Sequence, residues 1–155
     1  MARKTKAYIP YAGATSAAGA REEITKILHR FGCESVGFMD DFAEKAVVLA
    51  FKHRGRPVQL RASAKGWAAL YLKENPWNYQ RRSNKAAWES AALDQGLIAV
   101  NSILRDWVKG QVTAVETGIL SFEAVFFAHM LTNDGRSIIE TISNAGLLPP
   151  PRDSE

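Results

Sequence analysis

Between residues 34 and 63 the apolar residues of this chain abandon helical spacing, while the segments on either side keep it. That change of period restricts the chain to a mixed fold, because side chains alternate between faces every residue in a strand and return every 3.6 residues in a helix. Before the change, Ile24, Ile27, Leu28 and Phe31 fall at i, i+3, i+4 and i+7 over about residues 16–31, with Gly32 placed to cap the end. Within it, "ESVGFMDD" reads as a short strand and "KAVVLAFKHRGRPVQLRAS" as two strands about a turn at residues 53–56, where Gly55 supplies positive φ. Val58, Leu60 and Ala62 alternate with Gln59, Arg61 and Ser63, so one face packs and the other stays wet. Pro57 at the start of that strand suits an edge position.

Helical patterning returns with Ser63 as the N-cap of a helix carrying Trp67, Leu70 and Tyr71 on one face, which stops before Pro76. The loop "NPWNYQRRSNK" follows. From Asn84 or Ala86 to Thr117 runs the longest periodic stretch, with Val100, Ile103, Leu104, Trp107, Val108, Val112 and Val115 in one apolar stripe, read as one long helix or two nearly in line. Asn101, Arg105, Asp106, Lys109 and Thr113 lie off that stripe, and Gly96 and Gly110 mark bends or close-packing points. Ser121 caps a helix over "SFEAVFFAHML", residues 132–135 make a turn, and a final helix spans about 137–144. The expected fold is α+β: an N-terminal helix, a three-stranded antiparallel meander, then a mostly helical half with one long helix. Residues 1–15 read as a flexible basic arm, 16–146 as one domain and 147–155 as a mobile Pro-rich tail.

The 155 residues suit a single domain, and no apolar run approaches the roughly 18 residues of a membrane span. "MARKTKAYIPYAG" lacks the apolar core of a secretory signal, which places the chain in the cytoplasm. Cys33 is the only cysteine, so its expected role is a buried thiol. Charge is divided: residues 1–85 carry 16 Lys and Arg against 7 Asp and Glu, a net +9, and residues 86–155 carry 4 against 9, a net −5, which together give the overall +4. A basic half of this kind suits a polyanionic partner.

Two clusters carry the candidate chemistry. Lys52, His53, Arg54, Arg56, Arg61 and Lys65 fall within fourteen positions of a hairpin, where alternation presents a row of cations to a phosphate backbone. The bland reading is a charged edge strand protected from aggregation. In the loop, Trp77 and Tyr79 beside Arg81, Arg82 and Lys85 have the chemistry of a base-stacking platform with phosphate contacts, set against packing of Trp77 over a helix end. Catalytic signals are thin. His29, His53 and His129 lie in different elements without a metal-ligand spacing, and phosphate-loop, dinucleotide and serine-hydrolase motifs are absent from the sequence. Asp40, Asp41 and Glu44 read as turn acids, and Glu116 and Glu123 as charges flanking a turn. The expectation is therefore a protein without catalytic, metal or cofactor sites. Its apolar C-terminal half is expected to leave a face for a second copy of the chain.

At "SAKGWAALYLKENPW" and "GLIAVNSILRDWVKGQVTAVETGILSFEAVFFAHMLTNDGR" the chain resembles small proteins encoded in phage and prophage early regions, over about residues 50–140. Such regions are rich in recombination proteins and in inhibitors of host defence. A looser resemblance is to Rad52-like single-strand annealing proteins, in which a small antiparallel sheet backed by helices forms a basic groove and subunits assemble into rings or filaments. It implies a single-stranded DNA-binding, self-associating recombination factor. The alternative is an inhibitor that binds a host defence protein.

Overall fold

A serine and a glycine set the ends of the first helix, α1 (Ala17–Phe31). Ser16 Oγ accepts the Gly19 N–H at 2.9 Å, and Gly32 at φ 101° turns the chain so that its own N–H and that of Cys33 close on the His29 and Leu28 carbonyls. The computed structural model describes residues 8–81 and 84–153. After α1 come β1 (Ser35–Asp41), β2 (Ala46–His53), β3 (Arg56–Ser63), α2 (Lys65–Glu74), α3 (Lys85–Glu116), α4 (Phe122–Phe126), a single 3₁₀ turn (Phe127–His129) and α5 (Ile138–Asn144). This is the mixed α+β order expected, with the periodic stretch 85–116 forming one continuous helix.

The sheet is an antiparallel meander with β2 central; Phe38, Leu49 and Leu60 share one row across it. Val47, Leu49 and Phe51 of β2, Val58 and Leu60 of β3, and Val36 and Phe38 of β1 face the helices. There they meet Ile24, Ile27 and Leu28 of α1, Val100, Leu104, Val108 and Val112 of α3, and Phe126 of α4. The opposite face carries Gly37, Met39, Ala50, Lys52, Gln59 and Arg61, all exposed. The β2–β3 turn places both central residues in the left-handed region, Arg54 at φ 49° and Gly55 at 77°. That geometry matches the twist of the flanking strands, and Glu34 Oε1 supports it by accepting the Gly55 N–H at 2.9 Å.

Three expectations are corrected. The helix over residues 121–131 is cut short after α4, because Met130 pairs with Val58 and the Leu131 N–H reaches the Pro57 carbonyl at 2.9 Å, covering part of the β3 edge. Ser63 does not occupy the N-cap position of α2; Ala64 does, although Ser63 Oγ accepts the Lys65 N–H at 3.2 Å. The described part of the expected arm, residues 8–15, is strapped down rather than free. Ile9 is buried beside Trp67 and Ala99, the Trp67 indole N–H donates to the Pro10 carbonyl at 2.7 Å, Tyr11 donates to Asp106 at 2.5 Å and Gln95 donates to the Ala14 carbonyl at 3.0 Å. Aromatic and backbone contacts, not the Pro and Gly content, decide that segment. Arg3, Lys4 and Lys6 lie outside the described residues. Among the described residues, no helix is long and apolar enough to cross a membrane.

The two glycines of α3 differ in kind. A Cβ at Gly96 would stand 3.1 Å from the Ala64 carbonyl oxygen and 3.3 Å from the Trp67 ring, so Gly96 is where α2 and α3 meet most closely. A Cβ at Gly110 would meet no atom within 4 Å. Gly110→Ala is therefore expected to raise stability by about 0.5–1 kcal/mol through backbone entropy. Gly96→Leu is expected to lower it by about 1–3 kcal/mol through overpacking. Urea unfolding midpoints of the two variants check both signs.

Candidate nucleic-acid interface

The hairpin tip divides the basic cluster by strand parity. His53 pairs across from Arg56 and shares the inward parity of Phe51, so its ring enters the core edge, stacked on Phe31 at 4.5 Å and tilted on Phe122 at 4.7 Å, with Cys33 Sγ 3.9 Å from Nδ1. His53 is buried, which corrects its place among the surface cations. Lys52 and Arg54 have the opposite parity and are exposed, and neither makes an ion pair with a described residue. The remaining hairpin cations are answered by carboxylates. Arg56 meets Glu123 at 3.1 Å, Arg61 meets Asp41 at 2.5 Å and Lys65 meets Glu44 at 2.8 Å. Carboxylates at the end of β1 and in the turn after it thus neutralise one end of the expected track. Arg61 and the Glu44 backbone N–H hold the Asp41 carboxyl below the usual carboxylate range.

The loop after α2 is built around a stacked cation. Asn75 ends α2 before Pro76, its carbonyl accepts the Trp88 indole N–H at 2.9 Å, and the Arg81 guanidinium lies 5.0 Å from the Trp88 ring centre. Trp77 is half-buried and meets Tyr79 edge-on at 4.9 Å, while Tyr79 is 90% exposed. Asn84 caps α3 by accepting the Ala87 N–H at 2.7 Å, and Lys85 reaches Glu89 at 3.9 Å. Arg82 lies outside the described residues.

These two clusters do not form one compact clamp. Arg54 and Arg56 share a surface hollow with Val115 and Phe122, at the C-terminal end of α3, whereas Arg81 and Trp88 sit at its N-terminal end. At about 1.5 Å per helical residue the separation along α3 from Trp88 to Val115 is about 40 Å. The open sheet face with Lys52, Gln59 and Arg61 lies between the hairpin tip and the β3–α2 junction.

Sequence reasoning missed a polar tie behind the sheet. Arg21 on α1 donates from Nε to Asn101 Oδ1 at 2.9 Å and from its two terminal nitrogens to Asp40 at 2.5 and 3.2 Å, with its guanidinium 5.3 Å from the Phe38 ring centre. Asn101 is 1% exposed and spends its amide N–H on the Leu97 carbonyl. A signal exists in the spacing: Leu97, Asn101, Leu104, Val108 and Val112 form a row at four- and three-residue intervals. Cys33 is buried as expected, and burial pushes its thiol up to about 11, away from nucleophilic use.

No family model matches the chain, and no curated protein or solved structure matches it. The likenesses to phage early-region and annealing proteins therefore stand on their sequence wording alone.

Burial holds the His53 imidazole below the ordinary range near 6.5; the nearby Arg54 charge adds to this and Glu34 opposes it. Burial alone lowers His129. The unfolded chain then binds these protons more readily, so their contribution to stability is complete above about pH 6.5 and is lost as pH falls through the folded values. The urea midpoint is expected to drop between pH 7.5 and 5.5, and to drop less in His53→Phe, whose ring suits the same stack. An equal drop in both proteins would remove His53 from the account.

Proposed function

We propose that the protein binds single-stranded nucleic acid without chemistry, as a recombination or annealing factor of the kind encoded by phages. The observation that carries this reading is Tyr79. A large aromatic 90% exposed, edge-on to Trp77 and close in sequence to a guanidinium laid on Trp88, gives up burial and leaves a free face for a base. Lys52 and Arg54 supply the second anchor, since they make no ion pair with a described residue and project from the sheet's wet face and hairpin tip. A strand reaching both anchors over about 40 Å would need about 12 nucleotides at the stacked spacing of about 3.4 Å. Exposed Ile119, Phe127, Ile139, Leu147 and Leu148 in the C-terminal half support the accompanying reading that copies of the chain associate.

Exposed Met39 and Phe42, beside the Asp41–Arg61 pair, favour a second reading, in which the sheet face docks on a host defence protein and inhibits it. Fluorescence anisotropy separates the two. A labelled 20-mer of single-stranded DNA at low salt is expected to bind with a log–log salt slope of about −2 per chain, for about three neutralised phosphates. Tyr79→Ala is expected to cost about 1–3 kcal/mol of binding, and a 5-mer is expected to bind far more weakly than the 20-mer. Absence of affinity for any single strand at low salt overturns the reading in favour of the protein-docking one.

A further inference from the structure

A cleft of about 690 Å³ opens between the strap at residues 8–16, the start of α1, the end of α2 and the middle of α3, away from the hairpin cations. That volume is typical of small-molecule sites, which combine apolar walls with a few convergent polar groups. Its polar groups are unusual for a structural gap. Ser102 and Asn75 line it, each only 5% exposed. Among the described residues the Ser102 hydroxyl has no hydrogen-bond partner, and Asn75 uses its side-chain N–H on the Tyr71 carbonyl at 3.2 Å while no described residue donates to its Oδ1. Among the described residues, no side-chain N or O atom shut off from solvent lacks a partner. These two unpartnered oxygens therefore keep contact with solvent at the cleft they line, held in place by buried surroundings. A hydroxyl and an amide oxygen held on the wall of one cleft, each open to a hydrogen bond from whatever fills it, point to a hydrogen-bonding occupant.

The walls and rim define its chemistry. Tyr71 lines the cleft, its ring stacked on Trp67 at 5.4 Å and tilted against Trp88 at 6.0 Å, and Tyr8 and Tyr11 line it too. The first turn of α1, also on the cleft, contains no acidic residue, and Ser16 Oγ satisfies the Gly19 N–H alone, leaving the Ala17 and Ala18 N–H groups without an acceptor among the described residues. Arg105 stands beside that turn. Its Nε is held by Asp106 at 3.0 Å and faces Glu23 at 3.7 Å, and its terminal nitrogens bond to no described residue. The Tyr11 hydroxyl and Arg105 together occupy the Asp106 carboxylate. A helix N-terminus with an arginine at its side favours a dianionic phosphate, and an aromatic-walled pocket with fixed acceptors favours a planar base.

We propose that this cleft binds a nucleoside monophosphate unit, with the base beside Tyr71 over Ser102 and Asn75 and the phosphate at the start of α1 beside Arg105. The unit has two sources, a free mononucleotide or the 5′-phosphorylated end of a strand, and the proposal does not depend on the hairpin and loop contacting nucleic acid. Calorimetric titration of the full chain with AMP, adenosine and inorganic phosphate tests it. AMP is expected to bind with one site per chain, and adenosine and phosphate each about tenfold or more weakly. Ser102→Ala is expected to weaken AMP about 3- to 10-fold, the worth of one hydrogen bond, with the urea midpoint unchanged. Arg105→Gln is expected to weaken AMP but leave adenosine untouched, a split that a merely structural role would not produce. A 10-mer bound more tightly with a 5′-phosphate than without, and more tightly than AMP, identifies the strand end as the source; AMP bound more tightly than either 10-mer identifies the free nucleotide. No heat from AMP or the phosphorylated 10-mer, or AMP binding indifferent to both substitutions, overturns the proposal.

Discussion

Burial of one face of α3 is the constraint on which the rest of the molecule depends. Val100, Leu104, Val108 and Val112 are buried against strands and helices that otherwise share little contact, and each such side chain contributes on the order of 1.5–3 kcal/mol of transfer free energy. A three-stranded meander has only one face to cover, and α1, α3 and α4 are what cover it. The same helix fixes the molecule's long dimension, because its 32 residues run well past the sheet, and the overhanging N-terminal part is where α2, the strap and the aromatic loop find support. The separation of hairpin tip and loop is thus a by-product of the core, not an independent feature.

The apolar stripe alone does not say how α1 should sit on α3. Arg21 does, since its guanidinium must reach Asn101 on α3 and Asp40 on β1 at once, and a slip of either helix would leave Oδ1 of the 1%-exposed Asn101 unpaired. Such a slip would cost about 1–3 kcal/mol for an unsatisfied buried group, so the tie penalises wrong registers more than it stabilises the right one. Arg21 also draws the Asp40 carboxyl below its ordinary range, which keeps the acceptor charged.

The elements legible in the sequence were those whose signal is local. The switch of period at residue 34, the Arg54-Gly55 turn, Pro76 ending α2, and Ser121 as a cap all act within four residues of themselves, and each appears where its chemistry puts it. The failures were tertiary. Leu131 leaves a helical pattern because an edge carbonyl at Pro57 is available 74 positions earlier, and residues 8–15 order because Trp67 and Asp106 offer partners that no local rule anticipates. The candidate site was legible as a set of residue types but not as a surface. Strand parity was enough to send His53 inward, yet the carboxylates that meet Arg56, Arg61 and Lys65 come from residues 20 to 67 positions away.

Those pairs bear directly on what the net charge of the basic half can do. A segment carrying +9 looks like a polyanion-binding surface, but Arg21, Arg61 and Lys65 are spent on carboxylates within the same segment and Arg56 on one from the acidic half. Exposed pairs are worth only about 0–1 kcal/mol, so a phosphate can displace Asp41 or Glu44 at little enthalpic cost. The exchange also gains little, since the freed carboxylate stays nearby and repels the incoming charge. Lys52 and Arg54 start without such a partner among the described residues, so each phosphate they meet releases counterions without first breaking one of those pairs. A polymer approaching this face would therefore feel the hairpin tip first, and the strength of that attraction follows Lys52 and Arg54 and not the charge count of the chain.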